Sequence, residues 1–181
     1  MLKSSKIRSF IGKIDKAMNK LERVTSKIIP ASSWNLLDKN IAFWHFKKKK
    51  IAFTNGCFDI LHQGHVAYLA QAASFADIFI VGLNSDASVK RLKGDERPLQ
   101  DENSRAVVMA GLGFVDAVVL FEQDTPYELI RYIQPDILAK GADYKKSEVV
   151  GADIVEAHGG EVKLIEFVEG YSTTAVINRM R

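Results

Sequence analysis

The residues best suited to chemistry lie in one short stretch that runs from Thr54 to His65, Thr-Asn-Gly-Cys-Phe-Asp-Ile-Leu-His-Gln-Gly-His. An apolar run ends at Thr54, and His62 and His65 bracket Gly64 where a helix is predicted to begin. Helix N-termini present unpaired N–H groups and partial positive charge, which attract anions. Gly64 would let the backbone come close to a ligand. The stretch therefore predicts an anion site, in which histidines can donate hydrogen bonds to phosphate without a metal.

Two histidines three positions apart are also compatible with half of a metal site or with two exposed helix-cap residues. Further ligands for a metal are few, because the sequence contains only His45, His158 and Cys57 besides them. We therefore expect no metal held by these histidines. The single cysteine excludes an internal disulfide and a cysteine-cluster zinc site, fits a reducing cytoplasm, and is expected to be a small buried residue rather than a nucleophile.

Three further polar segments follow predicted strands: 84–94, 140–144 and 169–174. Ligands of doubly wound sheets bind beyond the carboxyl ends of the strands, so these segments are expected to meet at one site. Each also has a simpler interpretation. Ser172 and Thr173 suit a helix cap, Lys90 and Lys93 suit a solvated surface, and Asp143 suits a turn.

The order of predicted elements indicates the scaffold that would position these residues. Apolar runs predict strands at 51–54, 77–83, 117–121, 136–139 and 162–167. Helices are predicted between and after them, at 64–74, 87–92, 101–112, 126–133, 147–158 and 174–181. This alternation is typical of an α/β fold with a Rossmann-like, doubly wound parallel sheet. A chain of 181 residues that is 47% hydrophobic can bury the core of one such domain.

The first 49 residues are predicted to form a helical, basic N-terminal extension, with the α/β domain at 50–181. Apolar residues in steps of three and four predict an amphipathic helix from Ser4 to Ile29, which Pro30 ends; a second short helix or an irregular segment follows. Before Phe53 the chain has 13 of its 25 Lys and Arg residues and three of its 22 acidic ones. The simplest interpretation is a solvated helix face, and contact with nucleic acid or an anionic membrane is the alternative. The sequence contains neither a run of about 18 apolar residues nor a signal-peptide pattern, so we expect a cytoplasmic protein without membrane insertion.

Four blocks in order resemble the HxGH nucleotidyltransferase superfamily, in its cytidylyltransferase-like branch. The resemblance covers about residues 50 to 181, and bacterial D-glycero-β-D-manno-heptose 1-phosphate adenylyltransferases, the ADP-heptose synthase domains of lipopolysaccharide biosynthesis, look most similar. The blocks are Asn55–His65, Asn84–Gly94 continued by Arg97-Pro98, Lys140–Tyr144 and Glu169–Thr174. Four blocks in this order are a far more specific signal than any one of them.

The resemblance implies a role for each residue that matches the family pattern. The catalytic set comprises His62, His65 and Lys90. The nucleotide-binding set comprises Asn55, Gly56, Cys57, Phe58, Gly64, Lys140, Gly141, Asp143, Ser172 and Thr173. The acceptor-binding set comprises Asp59, Asn84 and Lys93. No residue is assigned to a metal, and Mg²⁺ is expected to arrive on ATP.

The activity that the resemblance implies is transfer of AMP from ATP to a sugar 1-phosphate, giving ADP-heptose and pyrophosphate. The alternatives are a CTP-dependent cytidylyltransferase acting on glycerol 3-phosphate or a similar phospho-alcohol, and a non-catalytic nucleotide-binding regulatory module. The expected partners are ATP and a small sugar phosphate, with no nucleic acid; relatives also suggest a homodimer. Bifunctional members of the family carry a sugar kinase domain before the transferase, whereas only the short leader precedes it here, so a separate kinase is expected to supply the substrate.

Overall fold

The computed structural model of the chain describes residues 19–166. Several sequence predictions lie outside that part: the first turns of the leader helix at 4–18, the last residue of the 162–167 strand, Ser172 and Thr173, and the closing helix at 174–181. The remaining predicted elements all fall within the described residues.

Six parallel strands form one sheet, in the spatial order β1-β4-β3-β2-β5-β6. Their bounds are β1 (Ile28–Ile29), β2 (Ile51–Gly56), β3 (Ile78–Asn84), β4 (Ala117–Phe121), β5 (Ile137–Gly141) and β6 (Glu161–Ile165). From β2 the chain moves outward through β3 to β4, and then returns to the other side of β2 for β5 and β6. The predicted doubly wound α/β fold is confirmed. The order reverses between β2 and β5, which is where such sheets bind ligands.

Helices cover both faces of the sheet. They are α1 (Lys20–Thr25), α2 (Asp38–Phe46), α3 (Gln63–Ala73), α4 (Asp86–Lys93), α5 (Glu102–Ala110), α6 (Tyr127–Ile133) and α7 (Ala152–Ala157), with 3-10 turns at Trp34–Leu37 and Lys146–Glu148. Ile51 and Phe53 of β2 belong to the core beneath α6 and α7, whereas Ala52 belongs to the core beneath α3 and α5. All three are fully buried, because successive side chains of a strand point to opposite faces and both faces are covered.

The leader helix ends earlier than predicted. The described part of it stops at Thr25, and Ile28 and Ile29 form β1, which pairs with Val118 and Val119 of β4. The periodicity was misleading here, because Pro30 disfavours helical backbone at the residue before it and two adjacent β-branched residues suit a strand.

The helix predicted at 147–158 is also interrupted. Its first part is the 3-10 turn at Lys146–Glu148, and α7 begins only at Ala152. Between them Val149 is extended and Gly151 has a φ of 86°. A left-handed residue cannot continue an α-helix, so the chain changes direction at this glycine.

The described part of the leader packs against the α/β domain. The indole Nε1 of Trp34 donates to the carbonyl of Leu120 at 2.9 Å, and Lys27 Nζ donates to the carbonyl of Val115 at 2.7 Å. Leu37 is fully buried in the core beneath α6 and α7. None of the helices between residues 19 and 166 is long and apolar enough to cross a membrane.

Candidate active site

A cavity of about 660 Å³ opens at the switch point of the sheet, a volume typical of small-molecule sites. The carboxyl ends of three parallel strands form its floor. Eleven of the sequence-predicted site residues line it: Asn55, Gly56, Cys57, Phe58, Asp59, His65, Asn84, Lys93, Lys140, Gly141 and Asp143. His62, Gly64 and Lys90 are not among the lining residues, and Ser172 and Thr173 lie outside the described part.

The two histidines stack on each other at the start of α3. His62 is the N-cap of this helix, and its Nδ1 accepts a hydrogen bond from the backbone N–H of His65 at 3.4 Å. The two rings lie 3.8 Å apart between centroids with an interplanar angle of 23°. On its other side His65 meets the ring of Phe58 edge-on at 5.4 Å. His65 lines the cavity, whereas His62 packs against the ring of His65 and is not itself a lining residue.

Burial makes His65 a neutral imidazole at pH 7. Burial lowers its pKa to about 4, the neighbouring His62 contributes in the same direction, and a hydrogen bond with the backbone of Ile60 opposes both. Its Nδ1 is buried without a hydrogen-bond partner in the described part of the chain. Buried polar atoms are nearly always paired in native proteins, so the unpaired Nδ1 is an unusual feature of a ring that lines the cavity. A bound phosphate would favour the protonated ring and raise its pKa.

The turn before α3 depends on one glycine. Phe58 adopts a left-handed backbone with a φ of 43°, and its ring lies over Gly56. A Cβ added at Gly56 would meet Phe58 Cε2 at 3.0 Å. The close approach places the Phe58 ring between this strand end and His65, so the turn and the histidine form one packed unit.

Lys140 joins β5 to β2 across the switch point. Its Nζ donates a hydrogen bond to the side-chain oxygen of Asn55. Burial lowers the pKa of Lys140 to about 8, and nearby Asp143 opposes the shift. A partly buried ammonium whose hydrogen-bond partner is neutral favours an anionic ligand, because the ligand would restore the charge balance that burial disturbs.

Asp59 lines the cavity, but both of its carboxylate oxygens are bonded to protein groups. Its carboxylate accepts from Arg97 Nε at 2.5 Å and from the backbone amides of Leu99 and Gln100 at 2.8 and 3.0 Å. Burial raises the pKa of Asp59, but these amide bonds and the Arg97 cation outweigh it, so the net pKa is lowered. Arg97 also lines the cavity, although no role was predicted for it from the sequence.

Arg105 is a second residue for which no role was predicted from the sequence. Its side chain is fully buried, and its guanidinium bonds the carbonyl of Cys57, the carbonyl of Gln100 and the carboxylate of Asp86. One side chain thus ties together the turn after β2, the segment before α5 and the start of α4. An arginine at a core-facing position of the predicted 101–112 helix was the available signal.

The lysines of α4 differ in placement. Val89 is buried and lines the cavity together with Lys93, which is one turn further along the same helix face. Lys90 follows Val89 by one position, or about 100° around the helix, and it is exposed. Asn84, at the end of β3, donates to Ser88 Oγ at 3.0 Å and lines the cavity floor.

Comparison with known proteins identifies the family. Residues 53–179 match the cytidylyltransferase-like family. The chain is 63% identical over 134 residues to "Bifunctional protein HldE" of Campylobacter concisus (strain 13826), covering 74% of this chain and 28% of that protein. It is 48% identical over 178 residues to the Helicobacter pylori (strain Shi470) protein of the same name, covering 94% of this chain and 36% of that one. The chain thus spans about a third of the length of these relatives.

Solved structures agree with the fold. A lipopolysaccharide core biosynthesis protein from Thermoplasma volcanium GSS1 superposes with a TM-score of 0.55 at 28% identity, over 68% of this chain and 99% of that one. A pantoate-β-alanine ligase from Francisella tularensis shares the fold with a TM-score of 0.54 at 13% identity, over 83% of this chain and 76% of that one. The resemblance seen in the sequence is confirmed, and this chain belongs to the cytidylyltransferase-like family.

Proposed function

We propose that the chain is an adenylyltransferase that transfers AMP from ATP to a sugar 1-phosphate, with D-glycero-β-D-manno-heptose 1-phosphate as the acceptor. The products would be ADP-heptose, for the lipopolysaccharide core, and pyrophosphate. The observation that carries the proposal is the stacked pair of His62 and His65 at the start of α3, with His65 in the cavity wall, its Nδ1 unpaired within the described residues, and the partly buried cation of Lys140 in the same wall. Family membership and the resemblance of the four sequence blocks to heptose 1-phosphate adenylyltransferases support it.

In the proposed reaction, an oxygen of the acceptor phosphate attacks the α-phosphorus of ATP in line. The new P–O bond forms as the bond to the β-phosphate oxygen breaks, and pyrophosphate leaves with that electron pair. The attacking oxygen is already anionic, so no strong general base is required. Catalysis then depends on positioning and on stabilising charge, which imidazole N–H groups and the amides at the start of α3 can supply.

The remaining assignments follow from position around the cavity. We assign Asn55, Gly56, Gly141 and Asp143 to the nucleotide, because they flank Lys140 at the switch point. The family pattern adds Cys57, Phe58, Gly64, Ser172 and Thr173 to that set. On the other side, Lys93 and Asn84 are assigned to the acceptor. Lys90 stays proposed as a catalytic cation, although its place on the exposed face of α4 requires its side chain to reach over the rim.

Mg²⁺ enters the proposal as part of the substrate MgATP. Within residues 19–166, no group of three His, Cys, Asp or Glu side chains is arranged to hold a metal ion. Mg²⁺ keeps several waters and is commonly bound through substrate phosphates, which fits a cavity whose wall carries cations. We place the reaction in the cytoplasm and propose a homodimer without a nucleic-acid partner; sedimentation of the purified chain tests the dimer.

The His65→Ala variant tests the mechanism. Loss of one group that stabilises the transition state costs on the order of 10²-fold or more in kcat, so pyrophosphate release should fall at least that far while the protein stays folded. His45→Ala is the matched control, since His45 is exposed on α2 and should retain full activity. Turnover of His65→Ala within a few-fold of wild type would contradict the role assigned to this histidine.

A further inference from the structure

Arg97 is a cavity-lining cation that the mechanism above does not use. Its side chain is 25% exposed, and its Nε donates to Asp59. Its backbone N–H bonds the carbonyl of Gly94 at 3.0 Å. Within the described residues, that Nε bond is the one hydrogen bond of the guanidinium. An arginine carries five N–H donors, so the four on the two Nη atoms have no partner between residues 19 and 166 and are suited to a ligand.

Asp59 fixes the orientation of this guanidinium. Its carboxylate is almost fully buried and is itself held by the amides of Leu99 and Gln100. The segment after α4 is thereby fastened to the turn after β2 at Arg97 and at the two residues Leu99 and Gln100 that follow it. Because Nε and both Nη atoms share one rigid plane, holding Nε presets where the free donors lie. Little rotamer entropy remains to be lost when a ligand binds.

A second cation shares this wall of the cavity. Lys93 lines it four residues before Arg97. Burial raises the pKa of the Cys57 thiol, and the charges of Lys93, Arg105 and Arg97 all oppose that rise. The positive charges of Lys93 and Arg97 are therefore both close to the Cys57 thiol in the turn after β2. Lys140 lies instead at the end of β5, bonded to Asn55, so the cavity carries positive charge on two sides.

We propose that Arg97, held by Asp59, binds the phosphate of the acceptor and, together with Lys93, selects a phosphorylated sugar over a neutral one. Asp59 then serves the acceptor as a positioning residue rather than by direct contact. A planar guanidinium whose Nε is already bonded keeps the edge formed by its two Nη atoms, which suits bidentate binding of phosphate oxygens. The inference rests on the proposed function, because it assigns the acceptor of that same reaction.

Isothermal titration calorimetry distinguishes an effect on acceptor binding from an effect on nucleotide binding. The Kd of heptose 1-phosphate is measured on protein saturated with Mg²⁺ and α,β-methylene-ATP, and the Kd of that nucleotide is measured alone. Loss of charge-assisted hydrogen bonds corresponds to about 10- to 100-fold weaker binding, so Arg97→Met should raise the acceptor Kd by that factor and change the nucleotide Kd less than two-fold. Arg97→Lys keeps the charge but loses the planar guanidinium, so its acceptor Kd should lie between those of wild type and Arg97→Met. Arg131→Met, which removes an exposed cation on α6, should change neither.

Asp59→Asn tests the positioning step. Asparagine retains an oxygen for the amides of Leu99 and Gln100 but loses the charge that holds Arg97, so the acceptor Kd should rise while the nucleotide Kd stays unchanged. A purely structural role would weaken both ligands together.

Three outcomes would overturn the inference. The first is an unchanged acceptor Kd in Arg97→Met, and the second is equal weakening of both ligands, which would place Arg97 on the nucleotide. The third is a wild-type protein that binds the nucleotide but no heptose 1-phosphate. That result would also contradict the proposed acceptor, whereas the first two outcomes would not contradict the proposed function.

Discussion

Arg105→Met should destabilise the protein more than any exposed charge change in the described part of the chain. The guanidinium donates to the carbonyl of Gln100 at 3.0 Å, to the carbonyl of Cys57 at 2.7 Å and to Asp86 at 2.7 Å. Arg105 is 2% exposed, so water cannot take its place without a rearrangement. Methionine fills much of the volume but replaces none of the three bonds.

The magnitude follows from the partners that the substitution leaves behind. Removing one member of a buried ion pair costs about 3–5 kcal/mol, and each orphaned buried acceptor costs about 1–3 kcal/mol. These costs overlap, and the side chain of Asp86 is 33% exposed, so its carboxylate can regain water. We therefore expect a loss of about 3 kcal/mol in the free energy of unfolding. Arg131→Met, which breaks an exposed ion pair with Glu128, should cost no more than about 0.5 kcal/mol.

Urea unfolding followed by tryptophan fluorescence measures both variants. Trp34 and Trp44 are partly buried against the core beneath α6 and α7, so their emission reports loss of the fold. If Arg105→Met does not fold, Arg105→Lys keeps the charge with fewer hydrogen bonds and should lose less. A loss below about 1 kcal/mol in Arg105→Met would refute the view that this side chain holds the turn after β2, α4 and α5 together.

Three further predictions concern stability. Burial lowers the pKa of His65 from 6.5 to about 4, so between these values the unfolded chain binds a proton that the folded chain does not. As the pH falls from about 6.5 to 4, wild type should therefore lose more stability than His65→Gln, as measured by urea titrations. Gly151 and Gly159 both have positive φ, but of the two only Gly151 would bring an added Cβ against an α6 side chain, at 2.6 Å. Substitution by alanine should cost about 1–2 kcal/mol at Gly159 from backbone strain and more at Gly151. Equal losses would contradict the close contact between Gly151 and α6. Trp34→Phe removes the indole bond to Leu120 and should cost about 1 kcal/mol; an unchanged urea midpoint would show that this contact does not hold the leader.

The position of the site was predictable from the sequence because it depends on topology. Asn55, Asn84 and Lys140 each follow a buried apolar run, and the carboxyl ends of parallel strands meet at one edge. The topology alone predicted that these three residues share one cavity, and all three line it. The outward placement of Lys90 was also predictable, since its neighbour Val89 occupies the buried face of a helix whose period is known.

The contacts around Asp59 were not predictable in the same way. Its partner Arg97 lies 38 residues away along the chain, and Arg105 reaches the Cys57 carbonyl across 48 residues. Such contacts depend on how helices pack on the sheet, which local patterns do not encode. Edge strand β1 is similar: Pro30 and the β-branched pair before it favour extended backbone, but the strand exists through its pairing with β4.

Pyrophosphate release in the presence of Mg²⁺, with ATP and CTP each paired with heptose 1-phosphate and glycerol 3-phosphate, tests the central claim most directly. We predict release with ATP and heptose 1-phosphate, and a rate at least ten-fold lower with the other three pairs. Equal or faster release with CTP and glycerol 3-phosphate would contradict the assignment and identify a cytidylyltransferase. Bound nucleotide without release from any pair would contradict it in favour of a non-catalytic nucleotide-binding module.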